Sequence, residues 1–328
     1  MAVRDWDSGS EIHEEIVVSI LIANYNARHL LGECLESIYR NPCSLPFEVL
    51  VVDDHSRDGS YEMVAERFPD VRLSRNERNL HYATSNNRMI DRARGRYLHL
   101  LNADTLMQAG AIDRLVEYLE AHPETGCVGS KLLNEDGSVQ ASVKLLPSLR
   151  SALFGARSYI YKLFPDNPLS KQELLHLSRD MSQPFEAGYV SSASWLMRRE
   201  VVDKVGYLDA RLSYHVDADY CARIWKAGWN VVYLPGSVVT HLNHKGGTLA
   251  NRWRRRKAVI EFHRGTWIFF RRHQMRSVWH PYTWVVATGL LARFVYSLTI
   301  QQLSEVPGIT LDKPPDVQRH PRDDPRVR

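Results

Sequence analysis

The 328-residue chain has few cysteines and lacks most of the short motifs that would settle its class at once. Its four cysteines (Cys34, Cys43, Cys127, Cys221) are scattered, with no CxxC pair and no zinc-like spacing. That excludes a disulfide framework and a thiolate zinc site, so a reducing, cytoplasmic setting is expected. Cys34, Cys127 and Cys221 stand in mixed or apolar stretches and read as small buried hydrophobes. The polar, acidic segment 1–15 has no apolar h-region, so no secretory signal is expected there, and it reads as a disordered N-terminus. No GxGxxG follows the first apolar run and no GxxxxGK[ST] occurs, which leaves a dinucleotide fold and a P-loop without support. A GxSxG nucleophile elbow is also absent, and no internal repeat is visible.

What is present is ordinary bulk with unevenly placed charge. At 44% hydrophobic and 24% charged residues, the chain has the composition of a soluble globular protein. Its length suits one large domain with additions, or two small ones, and is ample for a core. The net charge of +4 conceals a local excess. Between 251 and 276, eight arginines and Lys257 stand against Glu261 alone, a net of +8, so the remainder of the chain is at −4.

Residues 16–23 (IVVSILIA) form a β-branched apolar run that stops at Asn24-Tyr25-Asn26, the pattern of a fully buried strand. A helix is predicted next, with Leu30, Leu31, Cys34, Leu35 and Ile38 on one stripe, before Asn41-Pro42 ends it. Residues 47–52 read as a second buried strand closing on Asp53-Asp54, and Asp58-Gly59-Ser60 as the start of a helix that reaches Phe68. A short strand at 71–73 and a helix at 83–94 follow. A strand at 96–101 then runs into Asn102-Ala103-Asp104, with a helix at 109–121 beyond it. This alternation predicts an α/β fold with a doubly wound, mostly parallel sheet flanked by helices.

Past residue 125 the pattern changes. A strand at 126–133 precedes the hairpin signal Asn134-Glu135-Asp136-Gly137. Residues 144–182 give no clear periodicity, and 186–198 read as one strand of small residues that a ligand can approach. A short helix ends at Gly206, a second spans 217–227, and short strands are expected at 231–234 and 238–240. Two long helices are expected at 251–274 and 283–303, and a disordered Pro-rich tail follows residue 306.

Carboxylates at strand ends drawn from separate units of one sheet are how an open α/β fold builds a site for a charged ligand. Asp53-Asp54, Asp104 and the later Asp217-Ala218-Asp219, with His241 and His244 downstream, form such a set. Asp104 suits a hard divalent cation that keeps ligand phosphates in its shell. The competing reading makes it a helix cap before Gln108-Ala109-Gly110.

The stretches VSILIANYN, FEVLVVDDHSRDGS, NERNLHYATSNNRMI, ARGRYLHLLNADT and DADYCARIWKAGWNVVYLPGSVVTH, in that order, resemble family 2 glycosyltransferases, which have the GT-A fold. The likeness runs from about Val17 to Thr248 and is greatest to the bacterial branch that includes rhamnosyltransferases and other cell-surface polysaccharide enzymes. It implies a domain over 16–248, with a nucleotide-binding half to 125 and an acceptor half beyond. In this likeness Asn24, Tyr25 and Asp53 contact the base and ribose of a nucleoside-diphosphate sugar, and Asn26, Asn79 and Asn87 fall on the donor side. Asn102 and Asp104 take the first and last places of the DxD motif, so Asp104 holds the metal. Asp217 matches the general base, and His241 matches a position that completes the metal shell in some relatives.

Those residue types suit an inverting transfer. A base must reach the acceptor hydroxyl opposite a diphosphate leaving group, while a metal stabilises the charge growing on that group. Positioning of donor and acceptor supplies much of the remaining acceleration. The resemblance thus implies manganese or magnesium as cofactor, and a histidine ligand tilts the choice weakly towards manganese. There are departures: Val216 replaces a Glu before Asp217, and Asn102 replaces the first Asp of DxD. Asp219 competes with Asp217, although capping or an acceptor-side role suits it better. No QxxRW of the processive synthases occurs, which favours single-sugar transfer. Rhamnose from dTDP-rhamnose is the first expectation, passed to a saccharide or polyprenyl-linked acceptor.

Trp195, Trp225 and Trp229 offer sugar-stacking surfaces, but core packing is their commoner fate. The basic segment has three readings: nucleic-acid binding, a solvated helix face, and attachment to anionic lipid with Trp and Phe in the interface. The apolar stretch 283–303 decides for the membrane surface, 249–305 being the membrane-associating segment, and against nucleic acid. Arg293 within it favours an interfacial or re-entrant helix over a spanning one. The expected place is cytoplasmic, peripheral on the inner face of the cell membrane. A nucleotidyltransferase is the competing enzyme class, although its Gly-rich, basic loop after the first strand is missing. A non-catalytic binding module with a degenerate site is the other alternative.

Overall fold

The computed structural model describes residues 15–155, 158–242, 252–275 and 277–303. The stretches to 14 and from 304, where disordered ends were expected, lie outside the described residues, as does His244.

The first half follows the predicted alternation. β1 (Val18–Asn24) lies between β2 (Phe47–Asp53) and β4 (Tyr97–Asn102), parallel to both, with α1 (Arg28–Arg40) leading from β1 to β2. α2 (Ser60–Arg67), β3 (Arg72–Arg75) and α3 (His81–Arg92) complete the unit, and β3 pairs parallel with β2. Burial on both faces explains the uninterrupted apolar runs of β1 and β2. Asn24 stands opposite Asp53 and Ala23 opposite Asn102, so the polar residues that end these strands line up along one sheet edge.

β5 (Thr105–Met107) turns straight back from β4, and α4 (Ala111–Ala121) leads to β6 (Thr125–Leu133). β7 (Val143–Lys144) follows, and the unplaced region then resolves into four short helices: α5 (Leu149–Phe154), α6 (Tyr159–Leu163), α7 (Pro168–Glu173) and α8 (Leu175–Ser178). The expected single strand over 186–198 is instead three: β8 (Phe185–Glu186), β9 (Tyr189–Val190) and β10 (Ser194–Arg198). Gly188 gives the reason. The chain crosses there to pair β9 with β7, so close to Leu145–Leu146 that a Cβ would meet a backbone nitrogen at 2.2 Å.

α9 (Arg199–Val205) and α10 (Val216–Lys226) precede β11 (Asn230–His241), which is one strand where two were expected. Its register shifts between Leu234 and Val238, so Pro235-Gly236 marks a bulge and not an end. The described residues thus form a nine-stranded sheet in the order β3-β2-β1-β4-β10-β6-β11-β5, with β8 also on β11. It is mixed: β10 runs antiparallel between β4 and β6, while β6 and β11 are parallel.

A line of polar side chains crosses this sheet inside the core. His99 Nε2 lies 3.0 Å from Ser194 Oγ, which is 2.8 Å from Ser130 Oγ, itself 2.9 Å from Ser237 Oγ. These four residues stand on β4, β10, β6 and β11, and all are at least 97% buried. Burial pulls the His99 pKa down to about 3, so the ring is neutral.

At the C-terminal end, α11 (Arg252–His273) and α12 (Pro281–Leu303) form a helical hairpin against α10. Phe269, Phe270 and Val286 bury themselves with Ala218 and Ala222 of α10. Gly265 brings α11 so near the start of α10 that an added Cβ would lie 2.7 Å from the Tyr214 carbonyl oxygen.

Candidate active site

The sheet edge at Asn24, Asp53 and Asn102 is the floor of the site. Asp53, almost fully buried, accepts from Asn24 Nδ2 at 3.2 Å and from the Ser56 backbone N–H at 3.0 Å, and Arg75 Nε stands 3.4 Å away. The Asn24 Oδ1 is buried without a partner among the described residues. Asn26 caps the next turn, accepting from the Arg57 N–H at 2.8 Å, and Tyr25 stands half exposed at the lip.

Asp54, the second carboxylate of the Asp53-Asp54 pair, organises the backbone at this end of the site. It takes three donors: Asn76 Nδ2 at 2.7 Å and the backbone N–H groups of Leu80 at 2.7 Å and His81 at 2.8 Å. A carboxylate there compensates the open N–H groups at the start of α3. Asn79 accepts from the same His81 N–H at 3.0 Å. Asn87 points elsewhere: its amide donates to the Leu208 carbonyl at 2.9 Å and accepts from the Leu208 N–H at 3.0 Å. Asn26, His55, His81 and His215 all hold positive φ. Such strained residues collect where a site fixes the backbone; Asn26 and His55 follow β1 and β2, His81 begins α3, and His215 stands just before α10.

Asp104 is no helix cap: α4 starts at Ala111 behind a left-handed Gly110, with no side chain capping it. The residue sits instead in the turn between β4 and β5. Antiparallel pairing of β5 with β11 sets His241 opposite Thr105, and the Leu242 N–H donates to the Asp104 carbonyl at 2.9 Å. The side chains meet, with His241 Nε2 3.3 Å from Asp104 Oδ1. Among the described residues no group of three or more His, Cys, Asp or Glu side chains gathers in ligand geometry. One carboxylate oxygen and one imidazole nitrogen fit a divalent cation that takes its remaining ligands from phosphate and water.

Asp217 lies in the first turn of α10, half-buried, and accepts from the Ala218 N–H at 2.9 Å. Withdrawal from water raises its pKa above the usual carboxylate value; the Lys144 ammonium and the N–H groups of Ala218 and Ser192 offset this only in part. Beside it Val216 is buried in the apolar cluster with Tyr220 and Cys221. Asp219 is two residues on, which on a helix turns it to the far side. Burial alone would raise its pKa, but bonds from His273, Arg223 and Arg272 hold it below the ordinary range. Its two oxygens are thus taken up by Arg223, Arg272 and His273.

Trp195, Trp225 and Trp229 pack into or against the core. Trp195 is fully buried edge-on to Tyr220 at 5.8 Å, and Trp225 Nε1 donates to the Ala187 carbonyl at 3.1 Å. Trp229 is partly buried beneath Lys204. All four cysteines are buried and free, and burial pushes the Cys34 thiol up to about 12.

Residues 19–206, more than half the chain, match the family described as Glycosyl transferase family 2. The chain is a family 2 glycosyltransferase. This glycosyltransferase is 31% identical over 265 residues to the N-acetylglucosaminyl-diphospho-decaprenol L-rhamnosyltransferase of Mycobacterium tuberculosis, covering 76% of its own length and 82% of that protein's. Among solved structures it resembles the mannosyltransferase PcManGT of Pyrobaculum calidifontis in complex with GDP-Man and Mn2+. The TM-score is 0.54 at 19% identity, over 92% of this chain and 80% of that one. It also resembles GalNAc-T7 with UDP, GalNAc and Mn2+, with a TM-score of 0.52 at 17% identity, over 70% and 44% of the two chains. Those likenesses show the fold, which is GT-A. Family membership sets aside the nucleotidyltransferase and the non-catalytic module.

Proposed function

We propose that this glycosyltransferase inverts the anomeric centre, depends on a divalent metal, and moves a single sugar from a nucleoside-diphosphate donor to a lipid-linked saccharide. The carrying observation is the meeting of Asp104 and His241 at 3.3 Å on the edge that also holds Asp53 and Asn24. A cation held by that pair supplies charge neutralisation for the departing diphosphate. Asp53 and Asn24, bonded to each other on that edge, orient the nucleoside. Asp217 takes the proton from the acceptor hydroxyl as the acceptor oxygen bonds the anomeric carbon and the bond from that carbon to phosphate oxygen breaks. Its raised pKa suits a group that must hold that proton.

The name of the Mycobacterium tuberculosis relative supports rhamnose as the sugar and a polyprenyl-diphosphate-linked N-acetylglucosamine as the acceptor. dTDP-rhamnose is the donor to test first, and cell-surface polysaccharide the product class. Attachment of α11 and α12 to the cytoplasmic face of the membrane fits such an acceptor. The window Pro281–Gln301 has a mean hydropathy of 1.4 and is long and apolar enough to cross a bilayer, with 11% of it buried. Trp279, Trp284, Leu291 and Val295 are exposed, while Arg293 turns inward over the Phe262 ring at 5.5 Å. That favours a helix lying in an anionic interface.

Nucleotide release from dTDP-rhamnose, measured with wild type and Asp104→Ala and with and without EDTA, tests the metal reading. Turnover that survives EDTA equally in both proteins would sink it.

A further inference from the structure

Gln140 follows the Asn134–Gly137 turn and is almost fully buried, at 4% exposure. Its backbone is held on both sides, by its own N–H to the Leu132 carbonyl at 2.8 Å and by the Ser142 N–H to its carbonyl at 2.8 Å. The side-chain amide is fixed too. Nε2 donates to the His241 carbonyl at 2.7 Å and reaches the Leu133 carbonyl at 3.4 Å. Carbonyl oxygens only accept, so the NH2 end of the amide must face them and Oε1 must face the other way.

That orientation dictates the state of the next ring. Oε1 of Gln140 lies 3.0 Å from His241 Nδ1. An amide oxygen cannot donate, so the hydrogen between them belongs to Nδ1. A neutral imidazole carries one N–H, which leaves Nε2 with a bare lone pair, and that atom is the one 3.3 Å from Asp104 Oδ1. Two acceptors facing each other repel unless a proton or a metal cation lies between them.

We propose that Gln140 is a positioning residue that locks His241 in its Nδ1–H form and thereby presents Nε2, with Asp104, as a ready nitrogen–oxygen pair for a divalent cation arriving with a nucleoside diphosphate. The inference rests on the metal reading above and assigns the residue that prepares its ligand. Outer partners of this kind orient a ligating histidine and set its tautomer, and losing one typically weakens metal binding about 10–100-fold.

The test uses the full-length protein labelled with 15N-histidine at pH 8, where a free imidazole is neutral. Long-range proton–nitrogen spectra should show His241 with hydrogen on Nδ1, and Cd2+ added with dTDP should shift Nε2. Mn2+ binding in the presence of dTDP, read by electron paramagnetic resonance, should weaken about 10–100-fold in Gln140→Met. Binding of dTDP alone should not change in Gln140→Met.

Hydrogen on Nε2 in the wild type overturns the inference, and that spectrum decides even if Gln140→Met fails to fold. Equal Mn2+ affinity in wild type and Gln140→Met overturns it while sparing the metal reading. A wild type that binds no Mn2+ overturns both.

Discussion

Arg272 of α11 donates to Asp219 of α10 at 2.7 Å, and the other end of the same guanidinium reaches Asp209 at 2.6 Å. Asp219 is fully buried, and Arg223 at 3.0 Å and His273 at 2.8 Å share it. One arginine of the basic segment therefore works inside the protein. It ties the C-terminal hairpin to the helix that carries Asp217. Replacing Arg272 with Met should cost about 1–3 kcal/mol, because Asp219 keeps two partners while losing a charged bond. Urea unfolding monitored by tryptophan fluorescence measures it, and no change would mean that the tie is idle.

The same knot predicts an acid limit. Asp209 and Asp219 both titrate below the ordinary carboxylate range, Asp209 chiefly through its bond from Arg211 and Asp219 against the cost of its burial. A depressed carboxylate contributes stability that is fully present above its unfolded pKa and is lost as pH falls through the folded one. Stability should hold at neutral pH and drain away below about pH 4, where unfolded carboxylates begin to bind protons. Asp209→Asn should flatten that slope in urea titrations across the acid range.

Asp217 has the opposite sign. Its raised pKa means that the ionised form is a burden on the fold at neutral pH. Asp217→Asn should keep or raise the melting temperature while turnover falls by about 10²–10⁴-fold. In the wild type, kcat should rise with pH through a value above that of an ordinary carboxylate. A variant that melts earlier and loses donor binding would make Asp217 structural.

Gly265→Ala sets two effects against each other. Alanine favours a helix interior over glycine by about 1 kcal/mol. The new Cβ would meet the Tyr214 carbonyl at 2.7 Å, and backbone cannot swing aside. It would also disturb the His215 to Thr266 bond, 3.0 Å across the same junction. The clash should win, with a net loss of about 1–3 kcal/mol in chemical unfolding.

If α12 lies in an anionic interface, Trp279→Ala with Trp284→Ala should weaken sedimentation with phosphatidylglycerol vesicles and leave turnover of a water-soluble acceptor unchanged. Binding to neutral vesicles as tight as to anionic ones would remove the charge from the argument.

The sequence is most readable where burial is local and complete. The runs at β1, β2 and β4 are apolar on both faces and end in polar residues, so both the strands and the strand-end carboxylates are visible at once. The region after 125 is harder because its geometry depends on distant partners. Gly188 marks a crossing that exists only because Leu145 and Leu146 lie beneath it. Pro235-Gly236 looks like the end of a strand, and only the neighbouring β6 makes it a bulge. The roles of Asp219 and Gln140 rest on contacts with residues 53 and 101 positions away, and no local pattern carries either.

The hydroxyl line from His99 to Ser237 bears on how the strands find each other. Each member depends on the next strand being in its right place and register. A slip by one residue would turn a hydroxyl to the opposite face and strand its former partner in an apolar core. The line thus acts as a proofreading device written across β4, β10, β6 and β11, penalising misaligned sheets that hydrophobic burial alone would tolerate. β10, which runs antiparallel to both β4 and β6, is held in that line on each side through Ser194.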